Sequence, residues 1–315
     1  MTGSDDSYYA HLPVHAAMLS DRARCDAYRR ALAKWVNAGD VVLDVGAGTG
    51  ILSLFAVRSG ARKVYAVERT SIGNLARQLI ETNGLAEQVQ VIQGNMETIE
   101  LPEQVDLIVS EWMGGYGVDE GFLPAVLIAR DRWLKPVGKM LPERVTSWVA
   151  PVSDSELESD SGFWHSRPYG VDFSLIAEMI ANEVRYCQHH ITGDTLLAEP
   201  QPMWMTDVYT CSVEEARSVF KVSLSFPITR AGNFNALATW FHAEFGRGVA
   251  LTNAPDAPKT HWGRFIYPLD DAMKVERGTE VSVKFACEPT VNSHCRSKWS
   301  VKVGDGAWEH HQSIN

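Results

Sequence analysis

The stretch DVVLDVGAGTGILSLFAVRSGARKVYAVE, residues 40–68, constrains the fold more than any other part of the chain. It reads as an apolar strand, a glycine turn, a helix, a stop at Gly60 and a second strand. Two more apolar strands follow in QVQVIQG and VDLIVSEW, and FLPAVLIARDRWLKP reads as a helix ending before Pro136. Strands alternating with helices indicate an α/β fold, a parallel sheet with helices on both faces. Upstream, residues 20–37 place Tyr28, Ala31, Leu32, Trp35 and Val36 on one helical face, with Ser20 as N-cap and Asp21 in the first turn.

Near Pro142 the texture changes. VTSWVAPV, VFKVSLSF, FNALATWFHAEF and TEVSVKFAC are short alternating segments, as in antiparallel sheet. The division expected is N-terminal helices with a Rossmann-like domain over 1–142, then an antiparallel β-barrel-like domain over 143–315. Residues 166–200, with DFSLIAEMIANEV, interrupt the strand pattern as an inserted helical arm.

Composition narrows the function. The 315 residues carry a formal net charge of −10, so the basic footprint of a nucleic-acid binder is missing and a cationic ligand is favoured. The five cysteines form no CxxC pair and no metal spacing, which points to reduced thiols, no metal centre and a cytoplasmic protein. The start, MTGSDDSYYAHL, has no signal pattern, and no apolar run approaches a membrane span. The pairs His189–His190 and His310–His311 have no supporting ligands and read as solvated.

LDVGAGTG supplies Asp44, Gly46, Gly48 and Gly50, glycines that let the backbone approach a ligand at a helix N-terminus. A dinucleotide fingerprint needs a third glycine where Ile51 stands, which argues against a nicotinamide dehydrogenase. An acid before GxGxG, with Glu68 closing the next strand where it can accept ribose hydroxyls, is the pattern of S-adenosylmethionine enzymes. Met96 and Glu97 in QGNMET are then placed for the adenine.

SEWMGGYGVDE, residues 110–120, holds Glu111 and Glu120 nine positions apart around three glycines. This resembles the double-glutamate loop of the protein arginine methyltransferase family. HAAMLSDRARC, VLDVGAGTGILSLFA, ARDRWLKPVGKMLPE and the KTHW of residues 259–262 agree with that family in order, over about residues 7–310. Two carboxylates can clamp a planar guanidinium in bidentate fashion and draw positive charge from the attacking nitrogen. They also offset the repulsion between sulfonium and guanidinium, several kcal/mol at ~4 Å and intermediate dielectric.

The resemblance implies further roles. His261 and Asp21 pair across the cleft, to steady it or to accept the departing proton. Arg24 takes the cofactor carboxylate. His15 and Met18 lie near the cofactor and the methyl-accepting nitrogen, or else are core residues. Tyr9 matches the last tyrosine of a cover helix, and Trp112 and Trp262 are apolar walls. The arm implies a homodimer, with Phe173, Leu175, Ile176, Met179 and Ile180 as its contact face or as an internal core. Three departures stand out: Asp5 and Asp6 replace cover-helix aromatics, GGYGVD is small where the loop is usually bulky, and docking tails are missing. With Gly115 and Gly117 removing walls and Asp119 adding charge, the substrate expected is free L-arginine, methylated at Nω, as in compact bacterial members of natural-product biosynthesis. The alternatives are a protein or peptide arginine, and an inactive S-adenosylmethionine-binding scaffold.

Overall fold

The computed structural model describes residues 8–187, 190–290 and 295–313; the expectations on Asp5, Asp6 and His189 lie outside them. Helix α1 (Leu12–Ser20) leads into α2 (Arg22–Trp35). The N-cap of α2 is Asp21, whose carboxylate accepts the Arg24 N–H at 2.8 Å. Ser20, expected in that place, instead ends α1 and donates to the Ala16 carbonyl. Both residue types cap well, and the preceding helix decides between them. Tyr28, Ala31, Leu32 and Val36 of the expected face are buried, with Trp35 partly so.

Strands β1 (Val41–Val45), β2 (Lys63–Glu68), β3 (Val89–Gln93), β4 (Val105–Ser110) and β5 (Leu134–Leu141) form one parallel sheet in the order β3-β2-β1-β4-β5. Helices α3 (Ile51–Arg58), α4 (Ile72–Thr82) and α5 (Leu123–Trp133) make the crossovers. The order reverses between β1 and β4, and a crevice opens past the carboxyl ends of strands at such a switch point. Val45 and Ser110 are register partners there, so the glycine turn and Glu111 start side by side.

Strands β6 (Arg144–Val152), β7 (Arg185–Cys187), β8 (Gln201–Asp207), β10 (Gly232–Glu244), β11 (Ala250–Thr252) and β12 (Arg264–Val275) make a six-stranded sheet. A second sheet holds β9 (Phe220–Pro227), β13 (Glu280–Glu288), β14 (Arg296–Val303) and β15 (Glu309–Gln312). Every pairing in both is antiparallel. Phe226, Phe234, Tyr267, Phe285 and Trp299 fill their core. The parallel-sheet core continues into the second half through Phe241, Phe245 and Trp262.

Helices α6 (Ser155–His165) and α7 (Ser174–Ile180) stand between β6 and β7, so helix begins earlier than residue 166, and α8 (Val213–Arg217) precedes β9. Residues 185–187, inside the span read as arm, pair with β12. Leu175 and Met179 are exposed, as are Phe163, Tyr169 and Val171. Two histidines read as solvated are engaged: His190 Nε2 lies 3.0 Å from Asp154, and His311 is buried, stacked on Trp299 and 2.6 Å from Glu309. All five cysteines are unbridged. Among the described residues no helix is long and apolar enough to cross a membrane.

Phe241, on β10 of the second half, is fully buried in the core it shares with the parallel sheet, where it meets the Trp262 ring edge-on at 5.1 Å. Phe241→Ala is expected to cost about 3–5 kcal/mol in urea unfolding. A loss below about 1 kcal/mol would show that the halves do not share this core.

Candidate active site

The glycine turn follows from the need to leave β1 and start α3 within five residues. Gly46, Gly48 and Gly50 have φ of 73°, 54° and 84°, the left-handed region that side chains avoid. Space is equally strict. A Cβ on Gly48 would lie 3.2 Å from the His15 ring, and one on Gly46 would lie 2.8 Å from Phe122. The Glu68 carboxylate accepts the Gly48 N–H at 2.9 Å and the Thr70 N–H at 2.7 Å, so it braces the turn from the end of β2. Asp44 is fully buried; Oδ2 accepts the Ser53 hydroxyl at 2.7 Å while Oδ1 has no partner. Burial pushes its pKa up to about 7. Met96 is buried and Glu97 exposed, and both carbonyls accept from Arg132.

The double-glutamate loop leaves β4 beside this turn. Arg24 reaches Glu111 Oε2 with Nη2 at 3.0 Å and Nε at 3.2 Å, and Glu111 Oε1 accepts the Met113 N–H at 3.1 Å. Burial works against the charge on Arg24, but the Glu111 carboxylate outweighs it and holds the guanidinium pKa above its ordinary value. Tyr9 donates its hydroxyl to Glu120 Oε2 at 2.9 Å, and burial with the two glutamates pushes its pKa up, keeping it a donor. The Tyr9 carbonyl lies 2.9 Å from His15 Nε2. Met18, half-buried, offers its carbonyl to Arg24 at 3.4 Å and holds its sulfur 3.8 Å from Nη2.

His261 Nδ1 lies 2.8 Å from Asp21 Oδ2, and the His261 N–H donates to the same oxygen at 2.7 Å. Burial alone would raise the Asp21 pKa; the bonds from His261 and the Arg24 N–H bring it below its ordinary value. Trp262 is buried, its indole N–H donating to the Met113 carbonyl at 2.8 Å. Trp112, expected as a pocket wall, is only 2% exposed and packs into the parallel-sheet core with its indole N–H unpartnered.

The middle of the loop differs from expectation. Gly115 does not open a wall: a Cβ there would lie 2.6 Å from the Phe265 ring. At Gly117 a Cβ would press on Val145 at 2.9 Å. Asp119 adds no charge to an open pocket; it is 1% exposed and turned onto the loop's own N–H groups. The glycines are there because the loop is packed tight, not because it is hollow. The sequence reading also passed over Phe122 and Ser53, although both flank residues it singled out. Among the described residues Asp270, Glu309 and His311 alone lie close enough to share a cation, on β12 and β15, with His311 already closed onto Glu309.

Asp44 binds its proton more tightly in the folded chain than at its ordinary value of 3.8. The stability this confers is fully present below that value and is lost as pH rises through about 7. The thermal midpoint of the ligand-free protein should therefore fall between pH 5 and pH 8 relative to Asp44→Asn, which cannot ionise. Parallel pH curves for the two proteins would contradict this.

The family model for the arginine methyltransferase oligomerization subdomain matches residues 143–303, and that for ribosomal protein L11 methyltransferase (PrmA) matches residues 29–114. Protein arginine N-methyltransferase 6 of Xenopus tropicalis is 36% identical over 309 residues, covering 95% of this chain and 91% of the relative. Protein arginine N-methyltransferase 1 of Caenorhabditis elegans is 35% identical, over 90% of this chain and 83% of the relative. Among solved structures, the Trypanosoma brucei PRMT1 enzyme-prozyme heterotetrameric complex with AdoHcy superposes with a TM-score of 0.87 at 28% identity, covering 97% of this chain and 99% of that one. The chain belongs to the protein arginine N-methyltransferase family, whose members are S-adenosylmethionine-dependent enzymes.

Proposed function

We propose that this protein transfers a methyl group from S-adenosylmethionine to a terminal guanidino nitrogen of an arginine within a protein or peptide. The observation that carries the reading is the pair of acids at the two ends of one closed loop, Glu111 tied to Arg24 and Glu120 tied to Tyr9, beside the glycine turn.

The residues at the turn fit the cofactor. Asp44 keeps a buried oxygen without a partner, and Gly46, Gly48 and Gly50 hold the left-handed backbone that starts α3 beside Glu68. His15, Arg24, Asp44, Gly46, Gly48, Gly50, Glu68, Met96 and Glu97 would hold it. When bound, it supplies an electrophilic methyl group on a sulfonium. Glu111 and Glu120 grip the substrate guanidinium from two sides and aim one terminal nitrogen. Two carboxylates against the one charge of Arg24 leave a net negative site, which an entering guanidinium neutralises. The Tyr9 hydroxyl orients Glu120, Met18 lies against Arg24, the buried Trp262 backs the His261 ring at 4.1 Å, and the Asp21-paired His261 holds the proton that leaves the methylated nitrogen.

The packed loop removes one of the three grounds on which free arginine was expected, and the relatives are named for protein arginine. The working division is a cofactor domain over 1–142 and a substrate domain over 143–315. Its exposed helical arm, with Leu175 and Met179, docks on a second copy to form a homodimer; the oligomerization subdomain matching 143–303 supports this.

Incubation with S-adenosylmethionine and either an Arg-Gly-rich peptide or free L-arginine, followed by mass spectrometry, should yield methylated peptide. Methylarginine from the free amino acid alone would overturn the substrate class. Glu120→Gln should lower kcat about 100-fold, since an amide cannot draw charge as a carboxylate does, with S-adenosylhomocysteine affinity within about twofold. Light scattering should show a dimer that Leu175→Asp with Met179→Asp converts to monomer; a monomeric parent would sink the arm's role.

A further inference from the structure

Two buried polar side chains hold the double-glutamate loop without belonging to the pair that names it. Asp119, immediately before Glu120, accepts the Gly115 N–H with Oδ2 and the Tyr116 N–H with Oδ1, each at 2.9 Å. A side chain at Gly114 would collide with this carboxylate, so the glycine is a consequence of the clamp. Asn253, just past β11 and 2% exposed, accepts the Phe241 N–H at 2.9 Å. Its amide donates to the Gly115 carbonyl at 2.7 Å and to the Gly263 carbonyl at 2.8 Å. Gly115 thus has its N–H on Asp119 and its carbonyl on Asn253. Gly263 follows Trp262 and His261, and His261 is bound to Asp21. On the far side the Cys295 N–H donates to the Asp119 carbonyl at 3.0 Å.

We propose that Asp119 and Asn253 are positioning residues that set where Glu120 stands relative to Glu111 and His261. The inference rests on reading Glu120 as a carboxylate for the substrate guanidinium. The chemistry of the clamp favours it over plain packing. A buried carboxylate is expensive to desolvate, and an apolar residue of similar size would fill the space at lower cost. What an apolar residue cannot do is take two adjacent backbone N–H groups and fix the curl of a glycine-rich segment. That segment has few side chains of its own to set its path. Asn253 supplies the complementary function, one amide spanning the double-glutamate loop and the segment after His261. Asn253 thereby registers the acid side of the site on the segment after His261, while Asp119 fixes the curl of the loop it holds. A shift of even 1 Å in such a constellation is enough to lower turnover steeply.

The test is a kinetic double-mutant cycle on the full-length protein with the Arg-Gly-rich peptide. Asp119→Asn is isosteric but turns an N–H₂ donor toward one backbone N–H. It should lower kcat at least tenfold, leave S-adenosylhomocysteine affinity within twofold, and change kcat less than twofold in a Glu120→Gln background. Asn253→Ala should behave in the same way. A kcat within twofold of the parent, or the same fold loss in both backgrounds, would overturn the positioning role, since a merely structural defect does not depend on Glu120. Hydrogen exchange at residues 115 and 116 gives a readout that needs no variant: slow exchange in the parent supports the clamp, and fast exchange overturns it. Turnover by the parent that Asp119→Asn leaves unchanged removes this role alone. A parent without turnover on any arginine substrate removes the reading of Glu120, and the role built on it.

Discussion

The segment from Glu111 to Glu120 has to be attached to two hydrophobic cores at once, and most of the architecture serves that requirement. Trp112 and Met113 pack into the core of the parallel sheet. Three residues later Tyr116 is buried in the antiparallel core, with Phe265 and Phe285 edge-on to its ring at 5.7 Å and 6.5 Å. An indole and a phenol ring each bury roughly 150–250 Å². At ~25 cal/mol per Å² that anchors each end by several kcal/mol before any polar contact is counted. A chain so pinned cannot drift as a surface loop does, and its glutamates inherit that rigidity.

Polar contacts then convert a pinned loop into a site. The Tyr28 hydroxyl on α2 donates to the Ser110 carbonyl, so the helix that carries Arg24 is tied to the strand end that carries Glu111. The same helix is capped by Asp21, which also holds His261 from 240 residues away. One aspartate therefore starts a helix, fixes a histidine and closes the cleft between the halves. Buried charges are costly, and here nearly every one is matched: Arg24 by Glu111, Asp21 by three hydrogen bonds. Asp44 is one exception, with an oxygen unmatched beside the glycine turn, and the buried Arg264, with Nε unmatched, is another. An unpartnered buried oxygen is costly by itself and suits a ligand with a donor to place there.

Much of this was legible in order along the chain. The strands around GAGTG, the helix after it and the change of texture near Pro142 follow from periodicity, glycine and proline alone. Glu68 at a strand end and Glu111 at another follow from the same reading, because a strand that ends on an acid at the switch point puts it in the crevice. The pairing of His261 with Asp21 came through the likeness to a family, since no local pattern links positions so far apart. Ser20 and Asp21 were equally good caps by chemistry, and only the packing of α1 chose between them.

The sequence by itself determined most of the strands and helices, where the glycine turn lies and that two acids flank one loop, because those depend on near neighbours; the start of α6 and the strand β7 inside the arm came only with the fold. Tertiary structure alone decided which way the side chains of that loop face. GGYGVD carries no period, so nothing local says that Tyr116 dives into one core, that Asp119 turns back on its own backbone, or that glycines mark crowding and not space. Asn253 joins the loop only because β11 and β12 bring it under Gly115. Contacts over such separations are set by which cores close against each other, and that is a property of the whole chain.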